Sequence, residues 1–510
     1  MIPTLKVRLV LPLFLLLAAC SLAPRYERPA QDISMQWSKT DMGASPLETD
    51  WWTRFDDPAL TALVREALHN NQDLAQSLAK IDSAAAQAGV AASALFPTVT
   101  GAGQMSSQSA SARAPNAPDY DSPLTQMSRS NTSHQLGLSA AWELDLWGKY
   151  RNTRTALTDV LLNTLAGHEA LRLSVAGQTA QNYFAMLALD MQRDTANRTL
   201  KTREEAFTIY ANRYKQGDIT ELDWLRAKAE VETARAQFHM TTVALDQAEA
   251  ALTVIVGRSP REIMENSLER GKPLNRLPSP PALPEGLPSA LLERRPDLRA
   301  AEYMLMAYNA NIGVARAQFF PSISLTGALG TLSAAVGNLF TPAAGLWNYG
   351  ISGSLPILDF GRNWYNLKDA EAQKQAAVAV YRKTIQSAFQ DIRTSLTAQR
   401  EADAIVRSMA TQVDSLRRSA EIARLQYDNG YSDYLTVLDA ERQLFSAELQ
   451  LANALRDRLN AVVRVCMALG GGWQTPQTGK AISPDTDKTG DDSGDNAQRA
   501  TDKAETEKKL

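Results

Sequence analysis

The chain has 510 residues, 44% hydrophobic and 21% charged, with a formal net charge of -3. That balance excludes nucleic acid as a partner, because affinity for a phosphate backbone rests on clustered cations. Two cysteines are too few for a disulfide framework, and acylation of Cys20 would leave no pair; His69, His134, His168 and His239 are too scattered to form a cluster with metal-ligand spacing.

At the N-terminus, Lys6 and Arg8 precede an apolar run from Leu9 to Ala19 that ends in Leu17-Ala18-Ala19-Cys20. The run is too short to span a bilayer stably, and its charged, apolar, small order is that of a secretory signal over residues 1–19. The small residues before Cys20 resemble the bacterial lipobox, which implies cleavage before Cys20 and acylation of its amine and thiol. The competing reading is an ordinary signal peptide with an incidental cysteine. Ser21 stands where an inner-membrane retention signal carries Asp, which implies transfer to the outer membrane.

Residues 20–60 carry Pro24, Pro29, Pro46 and Pro58 and are expected to run extended along the body. A first unit follows over 61–257: a helix, a β-hairpin over about 98–142, and a helical hairpin that is proline-free to Ser259 and turns at Gly217. In the hairpin, Leu136, Leu138, Ala140 and Trp142 alternate with Gln135, Gly137, Ser139 and Ala141, the weak signature of a transmembrane strand. Its partner, Thr98 to about Met105, is legible only through its copy. A Pro-rich linker covers 258–296.

The second unit, 297–473, repeats the first. Gly89-Val90-Ala91 and Leu95-Phe96-Pro97 return as Gly313-Val314-Ala315 and Phe319-Phe320-Pro321 at an offset of 224, and Tyr214-Lys215-Gln216-Gly217 returns as Tyr427-Asp428-Asn429-Gly430 at an offset of 213. Its strands, within about 322–358, place Ile323, Leu325 and Leu329, then Trp347, Tyr349 and Ile351, on one side. From Arg362 to Leu469 the only glycine is Gly430, so two helices of about 50 residues or more are expected to meet there. Cys466 reads as buried packing, and the charged tail 474–510 is expected to be disordered.

Four strands cannot close a barrel, and lipid does not tolerate an open sheet edge. Two copies would give eight strands and three would give twelve; the small inward residues favour the roomier lumen, hence a homotrimer. The fold class is thus mixed α and transmembrane β: a 12-stranded trimeric barrel, four strands per protomer, continued by a barrel of coiled-coil helices.

Trp51-Trp52 with Phe55-Asp56-Asp57-Pro58, Leu287-Pro288-Ser289 with Arg295-Pro296-Asp297, Phe320-Pro321 with Ser324-Leu325, and Gly470-Gly471-Gly472-Trp473 together resemble the TolC-like outer-membrane factors, in their lipoprotein branch serving resistance-nodulation-division pumps. The resemblance covers residue 20 to about 474. It implies a passive efflux duct, no enzyme, in the outer membrane and periplasm. Its partners would be a periplasmic adaptor (a membrane fusion protein) and an inner-membrane transporter, and it would need no cofactor and no metal beyond the lipid on Cys20. Drugs, solvents or aromatic acids are the expected cargo; copper or silver efflux and a purely structural trimeric lipoprotein are the alternatives.

Leu435, Asp439 and Arg442 share one helix face after the Gly430 turn. The plain reading is a solvated Asp-Arg pair worth a few tenths of a kcal/mol; the functional one is a gate of three such faces around a threefold axis. The resemblance matches this triplet to the family's constriction, Asp223 to another acidic tip position, and Tyr214 and Tyr427 to tip tyrosines, with Gly217 and Gly430 shaping turns for the adaptor. Ser432 and Thr436 depart from a basic and an acidic residue in some members. The first copy is expected to carry Leu222, Arg226 and Lys228 where the second has the triplet.

Overall fold

A computed structural model describes residues 21–30, 50–111, 130–265, 268–278 and 294–471. Cys20, Leu287-Pro288-Ser289, Gly472-Trp473 and the tail lie outside them. In chain order the principal elements are α1 (Pro58–Asn70), α2 (Gln72–Ser93), β1 (Thr98–Ser109), β2 (Ser130–Glu143), α3 (Lys149–Gln216), α4 (Glu221–Val256), α5 (Pro260–Glu265), α6 (Pro296–Ala317), β3 (Ser322–Ser333), β4 (Gly345–Ser354), α7 (Arg362–Asp428) and α8 (Tyr434–Ala468).

The strands form one antiparallel sheet in the order β1-β2-β3-β4. The register sets Leu138 opposite both Gly101 and Leu329, and Leu329 opposite Trp347. One face therefore collects Val99, Met105, Leu136, Leu138, Leu329, Trp347, Tyr349 and Ile351, all exposed in the single chain. The other face carries Thr100, Gln104, Ser139, Thr326, Ala328, Asn348 and Ser352, small or polar except for Leu332 and Leu346 toward one end. This is the division between lipid and lumen that the alternation predicts. β1 runs past Met105 to Ser109 because a serine-rich stretch pairs across the hairpin, with Ser106 Oγ 2.9 Å from Ser133 Oγ and Ser107 Oγ 3.0 Å from Thr132 Oγ1. β4 stops at Ser354, short of Pro356, which has no N–H to give a ladder.

The helical hairpins have unequal arms, which corrects the expectation that both helices run about 50 residues or more. α3 and α7 have 68 and 67 residues, α4 and α8 only 36 and 35. At about 1.5 Å per residue the long helices reach on the order of 100 Å. The short arms end where a second helix of 22 residues begins, α2 meeting the end of α4 and α6 the end of α8. Asn71 makes the first junction: its side-chain oxygen accepts from the N–H of Asp73 (2.9 Å) and Leu74 (3.1 Å), and its amide nitrogen donates to Ile255 O (2.8 Å). One side chain thus satisfies orphan groups at two helix ends. Its counterpart at the 224 offset, Arg295, donates to Ala468 O (3.2 Å) and forks onto Asp297 at 3.0 and 2.8 Å.

Around this level lies the main core, in which Trp51, Phe55, Leu60, Tyr183, Phe184, Leu252 and Leu459 are buried together. Trp51 and Phe55 belong to a short 3-10 helix, Trp51–Phe55. Buried Asp57 caps α1 through Ala59 N (2.9 Å) and Leu60 N (3.2 Å), accepts from Tyr183 OH (2.9 Å), and accepts from Lys272 N (3.2 Å). The Asp-Pro pair thereby ties the N-terminal segment to the linker after α5. Cys466 is 1% exposed and burial pushes its thiol up to about 12, as packing requires.

Candidate functional site

The two helical hairpins turn side by side. Gly217 has φ +81° and Gly430 has φ +77°, and each turn closes with a bond spanning five residues, Asp218 N to Arg213 O (2.9 Å) and Tyr431 N to Gln426 O (2.8 Å). A Cβ at either glycine would meet nothing within 4 Å, so backbone conformation rather than space demands glycine there. Aromatic rings fasten the turns together: Tyr210 lies 4.4 Å from Tyr434 and 6.1 Å from Tyr427, ring centre to ring centre, while Tyr214 stacks on Trp224 at 5.4 Å. Around them Leu222, Leu225, Leu425, Tyr431 and Leu435 stay exposed.

The next helix begins at each turn with the same cap built the other way round. In the first copy Thr220 is the N-cap, accepting from Asp223 N (3.2 Å) and donating its hydroxyl to Asp223 Oδ2 (2.7 Å). In the second, Asp433 accepts from Thr436 N (3.0 Å) and from Thr436 Oγ1 (2.7 Å). The Thr and Asp have exchanged places at the 213 offset. Asp223 is therefore engaged in capping α4, with Arg226 3.7 Å away. Thr436 is likewise occupied, and its two hydrogen bonds hold the Asp433 carboxyl below the usual carboxylate range.

Leu435, Asp439 and Arg442 do share one face of α8, and the Asp439 and Arg442 side chains are both more than half exposed. Their mutual separation, however, is 4.0 Å, and Arg442 has a better partner. Its Nε donates to Glu230 Oε1 at 2.6 Å and its Nη2 also meets that carboxylate, which holds the guanidinium pKa up. Glu230, on α4, is 3% exposed and bridges onward to buried Arg203 of α3, whose Nη1 lies 2.9 Å from Oε2. The chain Arg203–Glu230–Arg442 thus links the first hairpin to the second. Sequence reasoning missed Glu230 and Arg203, since neither stands near the triplet in sequence and Glu230 maps onto Gln443. The offset of 213 also sets Ala229, not Lys228, against Arg442; Lys228 lies over the Trp224 ring instead.

At the opposite end, residues 21–30 strap across α3 and α6. Ser21 Oγ donates to Asn152 Oδ1 (2.8 Å), Asn309 donates to Pro24 O (2.8 Å), and Arg28 forks onto Glu302 at 2.7 and 2.8 Å. That places Ser21 against the first turn of the helix that leaves β2, where Asn152 is the fourth residue. Of the histidines, His168 Nδ1 lies 2.6 Å from Ser77 Oγ and His239 packs on Phe238. Among the described residues no group of three or more His, Cys, Asp or Glu could hold a metal ion.

The model of the outer membrane efflux protein family matches residues 63–258 and 287–471. The chain is 34% identical over 481 residues to the solvent efflux pump outer membrane protein SrpC of Pseudomonas putida, covering 92% of this chain and 99% of that one. It is 32% identical over 474 residues to the probable outer membrane lipoprotein SilC of Salmonella typhimurium, with 92% and 99% covered. The structure superposes on the Campylobacter jejuni CmeC outer membrane channel with a TM-score of 0.81 at 28% identity, over 89% of this chain and 96% of that one.

Proposed function

We propose that this chain, which belongs to the outer membrane efflux protein family, assembles as a homotrimer and passively conducts small toxic organic molecules, received through a periplasmic adaptor from an inner-membrane transporter. The outer-membrane efflux role is the family's own; trimer, partners and cargo are the further reading. One observation carries it: a four-stranded sheet with an apolar face, a polar face and two open edges, prolonged by helices long enough to cross the periplasm. Solvents lead the cargo class because the relative SrpC is a solvent efflux pump protein. The relatives are channel proteins, and the reading includes no catalytic step.

Acylation of Cys20 fits the strap that begins at Ser21, because that strap is bonded to the first turns of the helix leaving the sheet, where an inner-leaflet lipid would lie. The face of Leu435, Asp439 and Arg442, with Asp223 capping beside it, serves as the periplasmic gate. The turns at Gly217 and Gly430, with Tyr214 and Tyr427, serve as adaptor contact. The test has two arms. Purified protein in planar bilayers should show a small closed-state conductance that rises in Asp439→Ala or Arg442→Ala; unchanged conductance in both rejects the gate. A deletion strain should become sensitive to toluene; sensitivity to silver or copper alone would assign the cargo to metal cations instead.

A further inference from the structure

Resting on the trimeric reading above, we infer the strand register that joins neighbouring copies: β4 of one chain pairs antiparallel with β1 of the next, setting Ile351 opposite Met105 and Ser352 opposite Gln104. Within the single chain the outer edges of β1 and β4 pair with no other described strand. In lipid such edges need partners, since each unpaired peptide group costs several kcal/mol there.

The register follows from the repeat. Between the copies β1 moves to β3 by 224 residues and β2 moves to β4 by 213. The first hairpin checks both shifts together. Its pair Thr98 and Ala141 becomes Ser322 and Ser354, which is an observed pair of the second hairpin. The junction between hairpins, β2 with β3, is observed once, for example as Leu138 with Leu329 and Ser139 with Ala328. Moving its β2 side forward by 213 and its β3 side back by 224 turns Leu138 and Leu329 into Ile351 and Met105, and Ser139 and Ala328 into Ser352 and Gln104. A barrel closed by this operation repeats one junction geometry at every step around the ring.

Side-chain chemistry agrees. In this register Ile351 and Met105 fall on the apolar face, while Ser352 with Gln104 and Asn348 with Gln108 fall on the polar face. The large rings of Trp347 and Tyr349, stacked 5.9 Å apart, face Ser109 and Ser107, whose small side chains leave them room. A slip of one residue would put Tyr349 and Ile351 opposite the wrong face and is excluded by pleat parity; slips of two are the real competitors.

The helices carry the same relation. Gly313 is required because a Cβ there would lie 2.5 Å from Asn152 Nδ2 and 2.8 Å from Ala23 Cβ. Its counterpart Gly89 has nothing within 4 Å in the single chain. The same shifts bring Tyr365 of the next copy over Gly89, and Tyr365 is 70% exposed here.

The test is cysteine cross-linking in outer membranes of the full-length protein, with Cys466→Ala as background. The variant Gln104→Cys/Ser352→Cys should oxidise to covalent dimers and trimers, its thiols facing the aqueous lumen. Ala102→Cys/Ser352→Cys and Ser106→Cys/Ser352→Cys, displaced by two residues, should give far less product. Preferential cross-linking of either displaced pair would overturn the register while leaving a closed trimer. No product from any pair, with sedimentation still reporting trimers, would overturn it too. Sedimentation as monomers or dimers would sink the trimeric reading itself.

Discussion

Replacing Glu230 by Gln removes the charge that pairs two guanidiniums, one of them, Arg203, 6% exposed. Breaking a charged hydrogen bond at a buried site costs on the order of 1–3 kcal/mol, and here the loss falls between the hairpins rather than within one. Glu230→Gln should therefore raise closed-state conductance as Arg442→Ala does, and the double variant should add little, because both remove the same link. Asp439→Ala, whose carboxylate stands 4.0 Å from Arg442 one turn away on the same helix, should combine less than additively with Arg442→Ala. Single-channel recording on the three single variants and the two doubles decides this; additivity of Glu230→Gln with Arg442→Ala would separate the two residues. A second residue-scale effect concerns Asp159 on α3, which is 7% exposed and pushed up to about 6 by burial alone. Its folded-state pKa lies above the unfolded value, so its contribution to stability is complete below about pH 4 and lost as pH rises through about 6. Asp159→Asn should raise the thermal midpoint at pH 8 and leave it nearly unchanged at pH 4.

At the scale of elements, the exchanged caps show how the repeat tolerates sequence change when the bond is kept. Thr220→Ala removes the acceptor for Asp223 N and should cost about 1 kcal/mol, or about fivefold faster amide exchange in the first turn of α4. The swap Thr220→Asp with Asp223→Thr recreates the arrangement at Asp433 and Thr436 and should restore protection. If the swap exchanges as fast as Thr220→Ala, the cap is not what holds the turn. The helix junctions explain what was legible in the sequence. Glycine spacing located both turns, the stop at Gly257 and the strands, because backbone conformation and pleat alternation are written locally. Arm lengths were not legible, since a stretch rich in Ala, Leu, Gln and Glu looks alike whether one helix continues or a second abuts it. Asn71 and Arg295, which make those joints, have no local signature; their partners Ile255 and Ala468 are far away in sequence. The Arg203–Glu230–Arg442 chain was hidden for the same reason. Gly257 marks such a joint sterically, since a Cβ there would lie 2.3 Å from Asn70 O at a φ of +82°. Gly257→Ala should lower the thermal midpoint more than Gly217→Ala, whose added Cβ meets nothing; equal losses would mean that φ alone matters.

For the whole molecule, the sheet has to satisfy two solvents at once. Adjacent residues of β3, Ala328 and Leu329, point to opposite faces, Leu329 among Leu138 and Trp347 and Ala328 beside Ser139 and Asn348. The same added charge should therefore have opposite consequences one residue apart. Arginine on the lipid face costs about 2–4 kcal/mol near the bilayer midplane, and a trimer would bear that cost three times. Leu329→Arg should thus strongly reduce the amount of protein in the outer membrane, with the remainder degraded or held in the periplasm. Ala328→Arg puts three guanidiniums into the water-filled lumen, where they stay solvated. It should assemble at wild-type levels and shift ion selectivity toward anions, because fixed positive charge in a narrow aqueous passage raises the local anion concentration. Membrane fractionation and reversal potentials in a salt gradient read the two outcomes. If Ala328→Arg is lost from the membrane while Leu329→Arg is retained, the faces are assigned the wrong way round, and the lumen, the cross-linking geometry and the duct fail with them.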